Sequence, residues 1–192
     1  MKRATVLSAV SLALAGASAF ASSMALAGGF TLSSPEIKAG GTIPKSFEFN
    51  SFGCSGDNKS PVLKWTGAPK GAKSFAVTVY DPDAPTGSGW WHWMVVNIPA
   101  DVTELQANAG ALNGTALPRG ATQGRSDYGT NAWGGVCPPP GDKPHRYIFT
   151  VFALKTEKLE LPVDATAALT GFMINGNALG KASFTATYGR SK

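Results

Sequence analysis

From Phe75 the chain alternates, with Phe75, Val77 and Val79 on one side and Ala76, Thr78 and Tyr80 on the other, until Asp81-Pro82, where proline removes the next ladder donor. This period of two is the signature of a β-strand, and three later segments share the strand reading. They are Trp91 to Ile98, Tyr147 to Leu154, and Ala182 to Tyr188, the last with Phe184 and Ala186 facing away from Thr185 and Thr187. Phe47 and Phe49 also stand at strand spacing. One segment has helical period: Leu169, Phe172, Met173, Gly176 and Leu179 recur after a candidate cap at Asp164, and their apolar side chains read as core contacts. With 23 glycines and 13 prolines in 192 residues, long helices do not dominate, and 43% hydrophobic residues suffice for the core of one loop-rich domain.

The first residues read differently. Lys2 and Arg3 precede an apolar run from Val6 to Ala21, and small-residue sites follow at Ala19-Phe20-Ala21 and Ala25-Leu26-Ala27. Residues 1–27 are therefore expected to be a secretory signal peptide, cleaved after Ala21 or Ala27, and residues 28–192 the domain itself. A stable membrane anchor is disfavoured, because Ser8, Ser11, Gly16 and Ser18 interrupt the run and no charged stop-transfer cluster follows. The expected location is periplasmic or secreted.

Export alters the meaning of charge and cysteine content. Without Lys2 and Arg3 the 17 basic residues become 15 against 12 acidic ones, a net charge of +3, and no lysine or arginine run tracks a phosphate backbone. Nucleic-acid binding is disfavoured, and a mild attraction to anions is allowed. The two cysteines, Cys54 and Cys137, are expected to form a disulfide in an oxidising compartment.

Chemistry concentrates in "DPDAPTGSGWWHWMVVN", residues 81–97, and in "GDKPHRY", which ends at Tyr147. Asp81 and Asp83 are two apart at a strand end, so extended backbone sends both carboxylates to one side, while Pro82 and Pro85 fix the path. His92 alternates with Met94 and Val96, and by position alone it reads as a core histidine satisfied by a carboxylate. The other histidine, His145, opens a strand beside Arg146 and Tyr147. The turn-rich stretch from Asn108 to Gly141 is long enough in a compact domain to be functional.

"YDPDAP", "WHW" leading into "VVNIP", and "PPPGDKPHRYIFTVFAL", in that order, resemble the phosphatidylethanolamine-binding protein family, also called Raf kinase inhibitor-like proteins. "NKSPVLKW" and "GFMINGNALGKASFTATYGR" are similar to its bacterial branch, and the resemblance runs from Phe30 to Arg190. It implies a mostly β fold, an antiparallel β-sandwich with a few short helices, and a small anion pocket at one end. Carried over by motif, the ligand-binding residues are Asp81, Asp83, Pro85, His92, His145 and Tyr147, with the Ala84–Pro85 bond cis. Aspartates beside the imidazoles are expected to keep them cationic, and the N–H groups of "WGGVCPPPG" to add donors.

Three function classes follow. The first is a non-enzymatic binding protein for a small anionic or phosphorylated ligand such as a phosphate or phosphoethanolamine head group, with no cofactor, able to modulate a protein partner and compatible with a homodimer. The second is an inhibitor of a kinase or protease partner, which export sets apart from a cytosolic kinase. The third is a metal-dependent hydrolase built on Asp81, Asp83, His92 and His145; it ranks last because no H-E-x-x-H or G-x-S-x-G arrangement is present.

Overall fold

The computed structural model describes residues 29–192; the expected signal peptide lies outside the described residues. Eight strands and one helix follow in the order β1 (Thr31–Ser33), β2 (Leu63–Thr66), β3 (Ser74–Asp81), β4 (Trp90–Pro99), β5 (Glu104–Leu105), β6 (Thr122–Gln123), β7 (His145–Leu154), α1 (Ala167–Asn177) and β8 (Ala178–Tyr188). They form a five-stranded sheet ordered β6-β4-β3-β7-β8 and a three-stranded sheet ordered β1-β2-β5, antiparallel throughout. Among the described residues no helix is long and apolar enough to cross a membrane.

The alternation seen in the sequence divides the large sheet between two cores. Phe75, Val77 and Val79 of β3 join Trp93, Tyr147, Phe149 and Phe184 in the main core, closed on its other side by Leu32, Leu63, Trp65 and Leu105 of the small sheet. Ala76 points the other way, into a second core with Met94, Val96, Phe152 and Leu154 under α1. A strand covered on both faces is held at the centre of the fold, so the end of β3 is a fixed point.

Two expectations fail. The helix is present, but Thr166 caps it, accepting the Leu169 N–H at 3.1 Å, and its buried side chains are Ala167, Thr170 and Ile174. Phe172 is 73% exposed, Leu169 39%, and Leu179 already belongs to β8. The stripe that meets the sheet is Ala167, Thr170 and Ile174 with Met173 packed beside it, so of the expected bulky residues Met173 touches the core while Phe172 faces outward. Around Phe47 the chain makes a single 3₁₀ turn, Lys45–Phe47, in place of a strand, and beyond it the Phe49 N–H donates to the Val136 carbonyl at 3.1 Å.

Cys54 and Cys137 are joined, with Cα atoms 6.0 Å apart and the residues 83 positions apart in sequence. The bridge ties the segment after the 3₁₀ turn to the proline-rich segment before β7.

Replacing Ile174 by alanine is expected to cost about 2–5 kcal/mol in denaturant unfolding, and Phe172→Ala no more than about 0.5 kcal/mol. The reverse order would show the helix packed through its other face. Opening the disulfide is expected to cost roughly 4–5 kcal/mol by loop entropy, read from unfolding curves with and without reductant, and the non-reduced chain should expose no thiol in denaturant.

Candidate functional site

Antiparallel pairing brings the end of β3 and the starts of β4 and β7 to one edge of the large sheet. Asp81, the last residue of β3, pairs with Trp90, and His145 opens β7 on the other side. One Asp81 carboxylate oxygen accepts the N–H groups of Asp83 at 2.8 Å and Ala84 at 3.1 Å; the other accepts His145 Nδ1–H at 2.8 Å. Both side chains are buried. A buried carboxylate survives only when its oxygens are filled, and here three N–H groups fill them. This bond fixes the His145 tautomer and leaves Nε2 uncommitted, 3.6 Å from the Asp142 carboxylate.

His92 reaches the same edge through an irregularity. Val79 pairs with Trp93 but Tyr80 with Trp91, so His92 is an extra residue in β4, a β-bulge. The bulge turns His92 away from the expected face of Met94 and Val96, which pack under α1. It sits instead edge-on to Tyr147, ring centroids 5.1 Å apart, and to Tyr128 at 5.6 Å.

His92 Nδ1 lies 2.7 Å from the Gly134 carbonyl and 3.1 Å from that of Gly135; both are acceptors, so Nδ1 carries the proton. Glycine is required there, because a Cβ on Gly134 would lie 2.0 Å from the Tyr128 ring and one on Gly135 2.4 Å from the Phe47 carbonyl. Burial lowers the His92 pKa below 6.5, outweighing the carbonyls and the Asp81 charge, so the ring is neutral and Nε2 is an acceptor. The expectation that the aspartates keep His92 cationic is thereby corrected.

A cavity of about 260 Å³ opens at this edge. Asp81, Pro85, His92 and His145 line it, together with Trp90, Tyr128, Phe52, the Cys137–Pro140 segment and Arg190. Of the other expected residues, Tyr147 is fully buried behind His92, where burial raises its pKa, and it does not line the cavity. Asp83 faces outward. Its carboxylate takes the Arg146 Nε–H at 2.8 Å, an Nη–H at 2.7 Å and the Arg146 backbone N–H at 2.9 Å, which hold its pKa down to about 2. Asp81 and Asp83 thus diverge because the Asp81-centred turn bends the chain between them.

Three further expectations are corrected. The Ala84–Pro85 bond is trans, as are all peptide bonds among the described residues; the turn is closed by the Asp81 carboxylate and by the Thr86 N–H on the Ala84 carbonyl. The N–H groups of the glycine loop are occupied: Gly134 donates to His92 O, Gly135 to Asn58 Oδ1 and Val136 to Phe47 O. The four-residue metal set does not converge, because Asp83 is engaged by Arg146 and Asp81 by His145 and its own turn; among the described residues no cluster of three His, Cys, Asp or Glu side chains suits a metal ion.

Sequence reading missed Tyr128, Phe52 and Arg190 as cavity residues and passed over Trp90, whose buried indole N–H has no partner among the described residues. Arg190 was within reach of the strand pattern, since the β7–β8 ladder pairs His145 with Tyr188.

The phosphatidylethanolamine-binding protein profile matches residues 33–189, and the chain belongs to that family. It is 59% identical over 143 residues to the UPF0098 protein YbcL of Escherichia coli K12, covering 74% of this chain and 78% of that protein. It is 48% identical over 146 residues to YbhB of the same organism, covering 76% and 91%. The crystal structure of E. coli YbcL, described as a new member of the mammalian PEBP family, superposes with a TM-score of 0.82 at 56% identity over 84% of this chain and 99% of that one.

Because the folded state holds His92 neutral while the unfolded chain binds a proton near pH 6.5, His92 makes stability fall as pH drops below about 6.5. His92→Gln is expected to flatten that part of the stability–pH curve, measured by urea unfolding between pH 7.5 and 5. An unchanged slope would mean that His92 is not the group being charged. Asp83 acts lower: its stabilisation is present above about pH 4 and is lost as pH falls towards about 2.

Proposed function

We propose that this chain is an exported, non-enzymatic binding protein that holds a small anion, a phosphate or a phosphoethanolamine-type head group, in the cavity at the sheet edge. The observation that carries the reading is that both histidines line one cavity with Nδ1 committed to the protein and Nε2 uncommitted. Neutral His92 offers Nε2 as an acceptor for a ligand O–H, and His145 turns its Nε2 edge to the same cavity. A hydrogen phosphate ion, singly or doubly charged, carries the hydroxyl that such an acceptor would meet. The basic, apolar residues 1–27 and the Cys54–Cys137 bridge support export, since disulfides persist in oxidising compartments.

Calorimetric titration of the mature chain with inorganic phosphate and with phosphoethanolamine is expected to show saturable one-site binding, with the two imidazoles as the perturbed NMR signals. His145→Ala should weaken both ligands by about 1–3 kcal/mol while circular dichroism stays unchanged. No saturable binding, or equal affinity in the folded variant, would defeat the reading.

A further inference from the structure

Arg190 lies two residues beyond the end of β8, and its side chain does more than close the chain against the sheet. One guanidinium nitrogen donates to the Gly53 carbonyl, another to the Pro138 carbonyl at 3.3 Å, and Nε lies 3.6 Å from the buried Glu48 carboxylate. Gly53 precedes Cys54 and Pro138 follows Cys137, so the guanidinium spans the two arms that the disulfide joins. It is held in place from three sides, and it lines the cavity.

Holding leaves donors over. A guanidinium has five N–H groups; the Gly53 and Pro138 carbonyls take two, Cys137 Sγ lies 3.9 Å from the nitrogen that serves Pro138, and Glu48 stands beyond hydrogen-bond length. Of the other charged and polar groups of the cavity, Asp81 is committed to His145 and to its own turn and His92 Nδ1 to the Gly134 and Gly135 carbonyls, which leaves the two Nε2 edges. Among the described residues that line the cavity, Arg190 is the one lysine or arginine. Aromatic rings and prolines form much of the remaining wall, and in such surroundings a fixed charge acts more strongly than in water.

From this placement we infer that Arg190 is a ligand-contacting, specificity-determining residue, whose guanidinium selects anions for the cavity and favours a dianion over a monoanion. The inference rests on the reading of the cavity as an anion site. A guanidinium fixed before the ligand arrives loses little side-chain entropy on binding and presents planar donors suited to tetrahedral oxyanions.

The test compares sulfate, a dianion that does not titrate near neutral pH, with acetate, using the mature wild type, Arg190→Gln and Arg190→Lys. Arg190→Gln is expected to lose about tenfold more affinity for sulfate than for acetate, and Arg190→Lys to regain part of the difference. An equal loss for both anions without recovery in the lysine variant would make Arg190 a structural brace only and overturn the inference. Wild type that binds sulfate, with an Arg190→Gln variant that binds it equally well, would overturn the inference and leave the anion reading standing. Wild type that binds phosphate but neither sulfate nor acetate would overturn the inference alone, and wild type that binds none of the three would overturn both. Should the glutamine variant fail to fold by circular dichroism, the Arg190 Nε–H resonance of the wild type decides: a saturable shift with the same midpoint as the imidazole signals is expected, and its absence refutes the contact.

Discussion

The buried Asp81 carboxylate is the joint on which the sheet edge turns. It terminates the central strand, closes the turn that follows through two backbone N–H groups, and binds His145 on the neighbouring strand. Each contact depends on the others, because a carboxylate out of water is tolerated only while its oxygens are filled. Removing a partner from such a pair typically costs about 3–5 kcal/mol, chiefly as the penalty of the charge left behind. The same atoms that shape the site therefore hold the edge together.

Around this joint, local departures from regular structure build the cavity. The bulge in β4 moves His92 to the face of Tyr147, and two glycines without Cβ atoms let the loop approach closely enough for its carbonyls to meet the ring. The loop is in turn fixed to the 3₁₀ turn by Gly135, Val136 and the disulfide. The site thus combines a rigid floor of strand ends with a wall of irregular chain held by discrete bonds. Kinship with YbcL and YbhB places this arrangement within a bacterial branch of the phosphatidylethanolamine-binding protein family.

Charge in the site is distributed differently from what a count of residues suggests. Two aspartates and two histidines read as a shared, protonated cluster, yet burial keeps His92 neutral and Arg146 draws Asp83 to the surface. Desolvation and one exposed guanidinium outweigh proximity in sequence. The permanent cation on the cavity wall comes from Arg190, far along the chain from the motif that first drew notice.

Local rules made much of this legible. Alternation marked the strands, proline marked the end of β3, the resemblance in the aspartate, tryptophan and histidine motifs pointed to Asp81, His92 and His145, and two cysteines in a chain expected to be exported pointed to one bridge. These features follow from backbone sterics and side-chain period, which act over a few residues. Register decided the rest. Asp81 and His145 stand 64 positions apart, and one extra residue in β4 reverses the face of His92; one helix of mixed composition turns Ala167, Thr170 and Ile174 to the sheet and Phe172 to solvent. Asp83 found Arg146, and Arg190 found Gly53 and Pro138, only because antiparallel pairing folded distant segments onto one edge. Sequence alone determined which segments extend and which residues carry the chemistry; tertiary structure decided which of those residues meet, because a single-residue change in pairing turns a side chain to the opposite face.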